Sequence, residues 1–412
     1  MSATDVAARR GIRGKAGRIV GVDVARGIAL LTMAATHMLP VHSPSGHLTH
    51  VGFLFGGRAS ALFAMLAGVS LAIVTGGSNP KTGRDLTRGR VVIAIRAVVI
   101  GLIGLLLAMT DTIVAVILAY YAVYFLLAIP FLRLRPRTLL LIAAAWALVS
   151  PQLSFLIRGY LPDPPYQQVD VVMILTDPVT ALPTLLFTGY YPAFTWMTFI
   201  LVGLAVGRSD LRARATAVRL VVAGAVLAVG AWVASGLLLE VFGVSAVWPT
   251  EEGQTVFRGW ELNNIGWYGT TPTDDPVWLL VAGPHAGTTF DLVTVTGSAL
   301  AVLGLCLLLT RPDLLRRLLY PLAAVGAMTL TLYSVHVVVL SFDVGHLGTR
   351  GYYLTHVAVA LIVAPLWLWF FSKGPLEALV HEIATGLGRA LVPLEPAPAP
   401  DPAPQPPAPP TS

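Results

Sequence analysis

Residues 22–40, VDVARGIALLTMAATHMLP, place an acid, a guanidinium and an imidazole in a stretch otherwise suited to lipid. Ionisable groups are expensive in hydrocarbon, so their presence there is by default a statement about function. At 100° per residue, Asp23, Arg26, Gly27, Leu30, Ala34 and His37 fall within one stripe of a helix. Gly27 and Ala34 leave room beside the charges for another helix or a ligand, while Leu30 interrupts the polar path midway. Arg26 would lie about 10 Å in from one end of the helix, and His37 about 16 Å further along. A guanidinium grips phosphate oxygens. A neutral imidazole near pH 7 can take and return a proton. The stripe therefore suits an anion held at one side and proton transfer at the other. The plainer reading is an i,i+3 ion pair with a histidine at the polar boundary.

Other residues extend the pattern. In the run 51–75, Gly57, Ala61, Ala64 and Gly68 form a small-residue stripe suited to close helix packing. Arg58 stands about 10 Å deep from the opposite side, either snorkelling to the interface or binding an anion in the room left by Gly56 and Gly57. Of nine histidines, only His381 falls on the side of the basic connections; His37, His42, His47, His50, His285, His336, His346 and His356 all group at the other. The stretch HSPSGHLTH contains neither acid nor cysteine and no i,i+4 histidine pair, so a metal site is not expected there. GPHAGTTFD, residues 283–291, carries His285 to a helix start. TLTLYSVH, residues 329–336, puts Thr329, Tyr333 and His336 on one helical face. Residues 242–287 hold Trp248, Trp260, Trp267 and Trp278 beside five carboxylates, the composition of a surface that stacks and hydrogen-bonds sugars, or of an interfacial aromatic belt.

The elements that must position these residues are membrane helices. Only 12% of the 412 residues are charged and 56% are hydrophobic, where a soluble domain carries roughly 25% charged residues. Apolar runs recur at about 19–40, 51–75, 91–109, 112–131, 138–156, 187–207, 216–241, 288–310, 319–341 and 353–372, each near the length that crosses a bilayer. The expected fold is an all-α polytopic bundle of about ten transmembrane helices. Basic connections (ARRGIRGKAGR, KTGRDLTRGR, RLRPR, GRSDLRARATAVR, RPDLLRR) alternate with neutral or acidic ones. The positive-inside bias then puts both termini in the cytoplasm. Residues 1–18 read as a basic cytoplasmic arm, 19–391 as the transmembrane domain with outer loops 157–186 and 242–287, and 392–412 as a Pro/Ala-rich tail that cannot bury a core. The single cysteine, Cys306, excludes an intrachain disulfide. The net charge of +6 reports orientation; no basic patch is interleaved with base-stacking aromatics, so nucleic acid is not an expected partner.

RIVGVDVARGIALLTMAATH resembles the opening of the heparan-alpha-glucosaminide N-acetyltransferase catalytic domain and its bacterial relatives, whose Asp-x-x-Arg-Gly pattern falls here on Asp23, Arg26 and Gly27. GRASALFAMLAGVSLAI and YYPAFTWMTFILVGLAVGR are similar to the same transmembrane acyltransferase superfamily. TLTLYSVH with GPLEALV resembles a bacterial membrane family of unknown function. The ten residues between Arg26 and His37 match the Arg-x10-His pattern of the acyltransferase-3 family. The resemblance implies acyl transfer in a bacterial cytoplasmic membrane, from cytoplasmic acetyl-CoA or another acyl-CoA to an extracytoplasmic sugar or glycolipid, with no tightly bound cofactor. It implies a catalytic histidine, at His37 by one pattern and at His47 or His50 by the other. Asp23, Arg26 and Arg58 would serve the donor electrostatically; His285, His336, Trp260 and Trp267 would lie on the acceptor side. A homo-oligomer stays open. Two rivals are a transporter or flippase using the same charges, and a scaffold docking partners through its tail.

Overall fold

The computed structural model describes residues 18–110, 112–162, 168–342 and 348–393. The basic arm before Arg18, His346, and the tail from residue 394 lie outside the described residues. The chain opens with α1 (Val20–Met38), which stops where Pro40 biases Leu39 to an extended conformation. The short α2 (His50–Phe55) is capped by the Thr49 hydroxyl and is parted from α3 (Arg58–Val74) at Gly56 and Gly57, the latter at φ 67°. There follow α4 (Gly83–Leu107), α5 (Leu118–Ala128), α6 (Pro136–Arg158), and the short α7 (Val171–Thr176) and α8 (Pro178–Pro183), capped by Asp170 and Asp177. A π turn (Thr184–Thr188) leads to α9 (Ala193–Gly207), then α10 (Arg214–Val241). A two-stranded antiparallel hairpin, β1 (Ser245–Thr250) and β2 (Gly253–Arg258), precedes α11 (Thr289–Leu309), α12 (Asp313–Leu318), α13 (Tyr320–Ala327), α14 (Thr329–Ser341), α15 (Gly348–Phe370) and α16 (Pro375–Leu391).

Among the described residues, six helices are long and apolar enough to cross a membrane, or eight if two bent pairs each count as one span. The bends are 51° between Pro178–Thr188 and α9, and 79° between α13 and α14. This is a polytopic helical membrane bundle. Two of the ten apolar runs contribute no helix to that set. In α1 the charged stripe dilutes a 19-residue helix that is mostly buried in protein. The run 112–131 forms only the 11-residue α5, about 17 Å long, because Val114, Val116 and Ile117 are buried ahead of it in irregular chain.

Burial separates an inner from an outer ring. The most apolar stretches of His50–Val74 and α11 are 67% and 61% buried, against 17% for α10 and 11% for Arg350–Phe370. The outer helices accordingly present Val222, Val226, Leu237, Leu354, Ile362 and Leu366 outward, as lipid contact requires. Two glycine crossings set the inner packing. A Cβ on Gly326 would stand 1.7 Å from the Asp23 carbonyl oxygen, and one on Gly27 would stand 2.2 Å from that of Leu322. The room beside the first-helix charges is thus filled by α13. Likewise α3 meets α9 at Gly68 and Gly203, each within 2.3 Å of the opposite backbone if given a Cβ.

The α13–α14 bend is clamped from the chain's last helix. Glu377 in α16 accepts from Leu330 N (2.7 Å), Thr331 N (3.2 Å) and Thr331 Oγ1 (2.6 Å), satisfying amides that the start of α14 leaves open. That clamp aims Tyr333 and His336 inward. Over the other end, residues 242–287 build a small unit with its own core of Leu239, Val244, Phe257, Leu262, Ile265, Trp267, Val281 and Ala286. The charge alternation of ten crossings predicts that this unit faces outward. A cysteine at exposed Glu252 should then label in intact cells and one at exposed Glu382 should not, while buried Cys306 gives no background. Labelling at Glu382 with protection at Glu252 would invert the topology.

Candidate active site

A cavity of about 1080 Å³ opens between the C-terminal end of α1 and the unit 242–287. His37, His42, Tyr190, Tyr191, Trp267 and His285 are among its lining residues. His37 sits in the last turn of α1, its Nδ1 2.9 Å from His336 Nε2 and its ring stacked on that of His336 at 5.2 Å. His336 Nδ1 lies in turn 3.1 Å from His356 Nε2. Helices α1, α14 and α15 therefore bring three imidazoles into one hydrogen-bonded row, although His37 and His336 are 299 positions apart.

His285 enters the same cavity from the turn before α11. Its φ is +61°, the only positive φ among the described non-glycine residues, and such backbone persists where its surroundings over-determine it. Trp267 N donates to Pro284 O (2.9 Å), Gly287 N donates to Asp291 Oδ2 (2.9 Å), and Gly57 allows the His285 backbone to within 3.3 Å of where a Cβ would be. Thus Gly56 and Gly57 open room for residues 284–285 of the chain itself. The His285 ring is walled by Tyr190 (4.3 Å), Tyr191 (5.7 Å) and Trp196 (6.0 Å, stacked), and its Nδ1 has no hydrogen-bond partner. The tyrosines are delivered by the Gly189–Pro192 break before α9, the YYP that the sequence resemblance included.

Burial, with a smaller push from the charge of His37, lowers the His285 pKa to about 3. The ring is therefore neutral at working pH and can accept a hydrogen bond. Because the folded value lies below the unfolded one, protons favour the unfolded chain below about pH 6.5. Stability should fall as pH drops from there toward 3. His285→Asn, which tolerates positive φ, should flatten that part of a Tm-against-pH curve; an unchanged slope would mean that His285 is not the responsible group.

The other pole is buried separately. Asp23, 4% exposed, accepts from Arg18 Nε (2.5 Å) and Arg26 Nη1 (3.0 Å), and Arg26 Nη2 donates to Ser70 Oγ (2.6 Å). Arg96 and Glu377 lie within electrostatic range of Arg26. Arg26 does not line the outer cavity: buried Leu30 and Met33 stand between. Both ends of the stripe exist, but the polar path between them is closed by apolar side chains.

The remaining sequence candidates scatter. Arg58 donates to Phe53 O and stacks over the Phe53 ring at 5.2 Å, in electrostatic range of Asp291 and off the cavity wall. His47 packs edge-on to Phe257 at 4.8 Å, and His50 is exposed at the start of α2; neither lines the cavity. Trp260 packs on Trp232 and Gly236 away from the cavity. Trp267 does line it, almost fully buried. His336 is 3% exposed behind His37. Sequence reasoning passed over Tyr190, Trp196, Ser70 and Arg158, whose Nη1 donates to Thr271 O (2.6 Å) at the cavity wall.

Comparison with known families gives two matches. The family described as heparan-alpha-glucosaminide N-acetyltransferase, catalytic, matches residues 18–238. A family described as a protein of unknown function (DUF418) matches residues 273–386. No curated protein matches the chain. The two matched regions meet at the cavity: His37, Tyr190 and Tyr191 of the first and His285 of the second line it, while His336 and His356 of the second stand behind His37.

Proposed function

Because this chain belongs to the heparan-alpha-glucosaminide N-acetyltransferase catalytic family, we propose that it transfers an acyl group, acetyl in the first instance, from cytoplasmic acyl-CoA to a sugar or glycolipid on the far side of a bacterial cytoplasmic membrane. The observation that carries this reading is His37. Its Nδ1 is engaged by His336, so Nε2 is the nitrogen left for a substrate in the cavity. As general base, Nε2 takes the proton of an acceptor hydroxyl or amine while that atom attacks the thioester carbonyl. The tetrahedral adduct then expels the thiolate, which recovers a proton from the same ring. Neutral His285, lining the cavity with Tyr190 and Tyr191, offers its ring to a sugar acceptor.

On the inner side, Arg26 and Arg96 offer charge to donor phosphates, and Asp23 fixes Arg26. The thin pantetheine arm would thread past Leu30 and Met33 to present its thioester to His37, a step that requires those side chains to move. Mass spectrometry of envelope glycans and lipids from a deletion strain tests the reading. Loss of one acyl substituent, restored by the wild-type gene and not by a His37→Ala copy, is the expected result. Accumulation of an unmodified substrate on the inner side, with every acyl group intact, would replace transfer by transport.

A further inference from the structure

The row His37–His336–His356 contains more than a base and its orienter. Each of its two contacts needs one N–H and one lone pair, so three neutral rings can satisfy both only when all point the same way. In one arrangement His37 Nδ1–H donates to His336 Nε2 and His336 Nδ1–H donates to His356 Nε2, leaving a lone pair on His37 Nε2 in the cavity. In the other every donor is reversed and His37 Nε2 carries a proton. Among the described residues, no carboxylate lies within ion-pair distance of any of the three. The usual third member of a catalytic histidine's support, an acid, is here replaced by two further imidazoles. His356 is the least enclosed of the three elements' contributions: it sits on α15, the outermost helix, beside the Tyr352 ring at 5.7 Å. Apart from His336 between them, the titratable groups facing the two ends of the row are His285 at His37 and Tyr352 at His356.

We propose that His336 and His356 form a proton wire that stores, away from the cavity, the proton His37 removes from the acceptor. This rests on His37 being the base. When Nε2 of His37 takes the acceptor proton, the Nδ1 proton of His37 passes to His336 Nε2, and the Nδ1 proton of His336 passes to His356 Nε2. The row has then gained the one proton taken from the acceptor, and its positive charge has moved from His37 to His356. When the thiolate departs, His37 Nε2–H protonates it, His336 Nε2–H returns to His37 Nδ1, and His356 Nε2–H returns to His336 Nδ1. Acceptor and thioester have become acylated acceptor and thiol, and the wire is reset. The gain is electrostatic: a cation confined to one enclosed ring is costly without a counter-charge, and the wire lets the three rings share it.

The test combines nitrogen magnetic resonance with kinetics on the full-length protein in lipid nanodiscs. With 15N-labelled histidine, the wild type should show coupling across two imidazole–imidazole hydrogen bonds, and His356→Gln should change the ring-nitrogen shifts of His37 although the two do not touch. Glutamine keeps a donor and an acceptor but cannot hand a proton on. With acetyl-CoA and glucosamine as probes, His336→Gln and His356→Gln should each lower kcat for CoA release by about 10²-fold with the KM for acetyl-CoA unchanged. Unfolding temperatures of both variants are measured alongside. Rings that titrate independently, or glutamine variants with wild-type kcat beside an inactive His37→Ala, would overturn the wire while leaving the base in place. Full activity in His37→Ala would instead remove the base on which the wire rests.

Discussion

His37→Ala should lower turnover by roughly 10²–10⁴-fold, the usual contribution of a positioned general base, and should leave donor binding nearly unchanged. The first expectation follows from the geometry at the end of α1, where one ring nitrogen faces the cavity and the other is held at 2.9 Å by His336. The second follows from distance: the Asp23–Arg26 pole lies eleven residues away on the helix, about 16 Å, behind Leu30 and Met33. A fall in kcat with acetyl-CoA affinity intact, measured by calorimetry, is therefore the signature. His47→Ala and His50→Ala are the matched comparisons, because the family resemblance offered them as equals and the fold keeps both off the cavity wall. If either of these abolishes activity while His37→Ala does not, the base belongs to the loop after the first helix.

Asp23→Ala should cost about 2–3 kcal/mol of stability, below the loss of a fully buried pair, because it strips the counter-charge from two part-buried guanidiniums. Asp23 is 4% exposed and holds Arg18 and Arg26 together. Its backbone carbonyl also lies against Gly326, so α13 allows no rearrangement that would admit water. Neutralising Asp23 and Arg26 together should be milder: Asp23→Asn with Arg26→Gln retains hydrogen bonding to Ser70 and leaves only Arg18, the more exposed of the two guanidiniums, without its carboxylate. Thermal unfolding in detergent should rank the double variant between wild type and Asp23→Ala. A double variant less stable than the single would show that Arg26 is held by contacts other than Asp23.

How much of this was legible in sequence depended on whether a property was local. The stripe on α1 was legible because helical period alone aligns Asp23, Arg26 and His37, and the structure keeps all three on that helix. Membrane residence was legible from apolar run length. The continuity of each run was not, because an apolar run can be satisfied by burial in protein, as Val114, Val116 and Ile117 are, and because Met328 and the Gly189–Pro192 break bend two runs by 79° and 51°. The gathering of His37 with His336 and His356 was out of reach. All three appeared among the outer histidines, yet nothing in spacing says that α14 and α15 meet the end of α1. That depends on the Glu377 clamp, an i-to-j relation 46 residues long. Gly57 shows the opposite error of scale: its freedom was read as space for a ligand of Arg58, whereas the space admits Pro284 and His285.

The most direct measurement of the central claim uses the protein reconstituted in sealed vesicles, oriented by the outward accessibility of Glu252→Cys, with acetyl-labelled CoA on the cytoplasmic face and amino sugars on the other. The account predicts free CoA released on the cytoplasmic face and labelled acetyl recovered on sugar from the opposite one, both lost in His37→Ala. Labelled product confined to the donor's own face, or unmodified sugar crossing the bilayer with no CoA released, would contradict it.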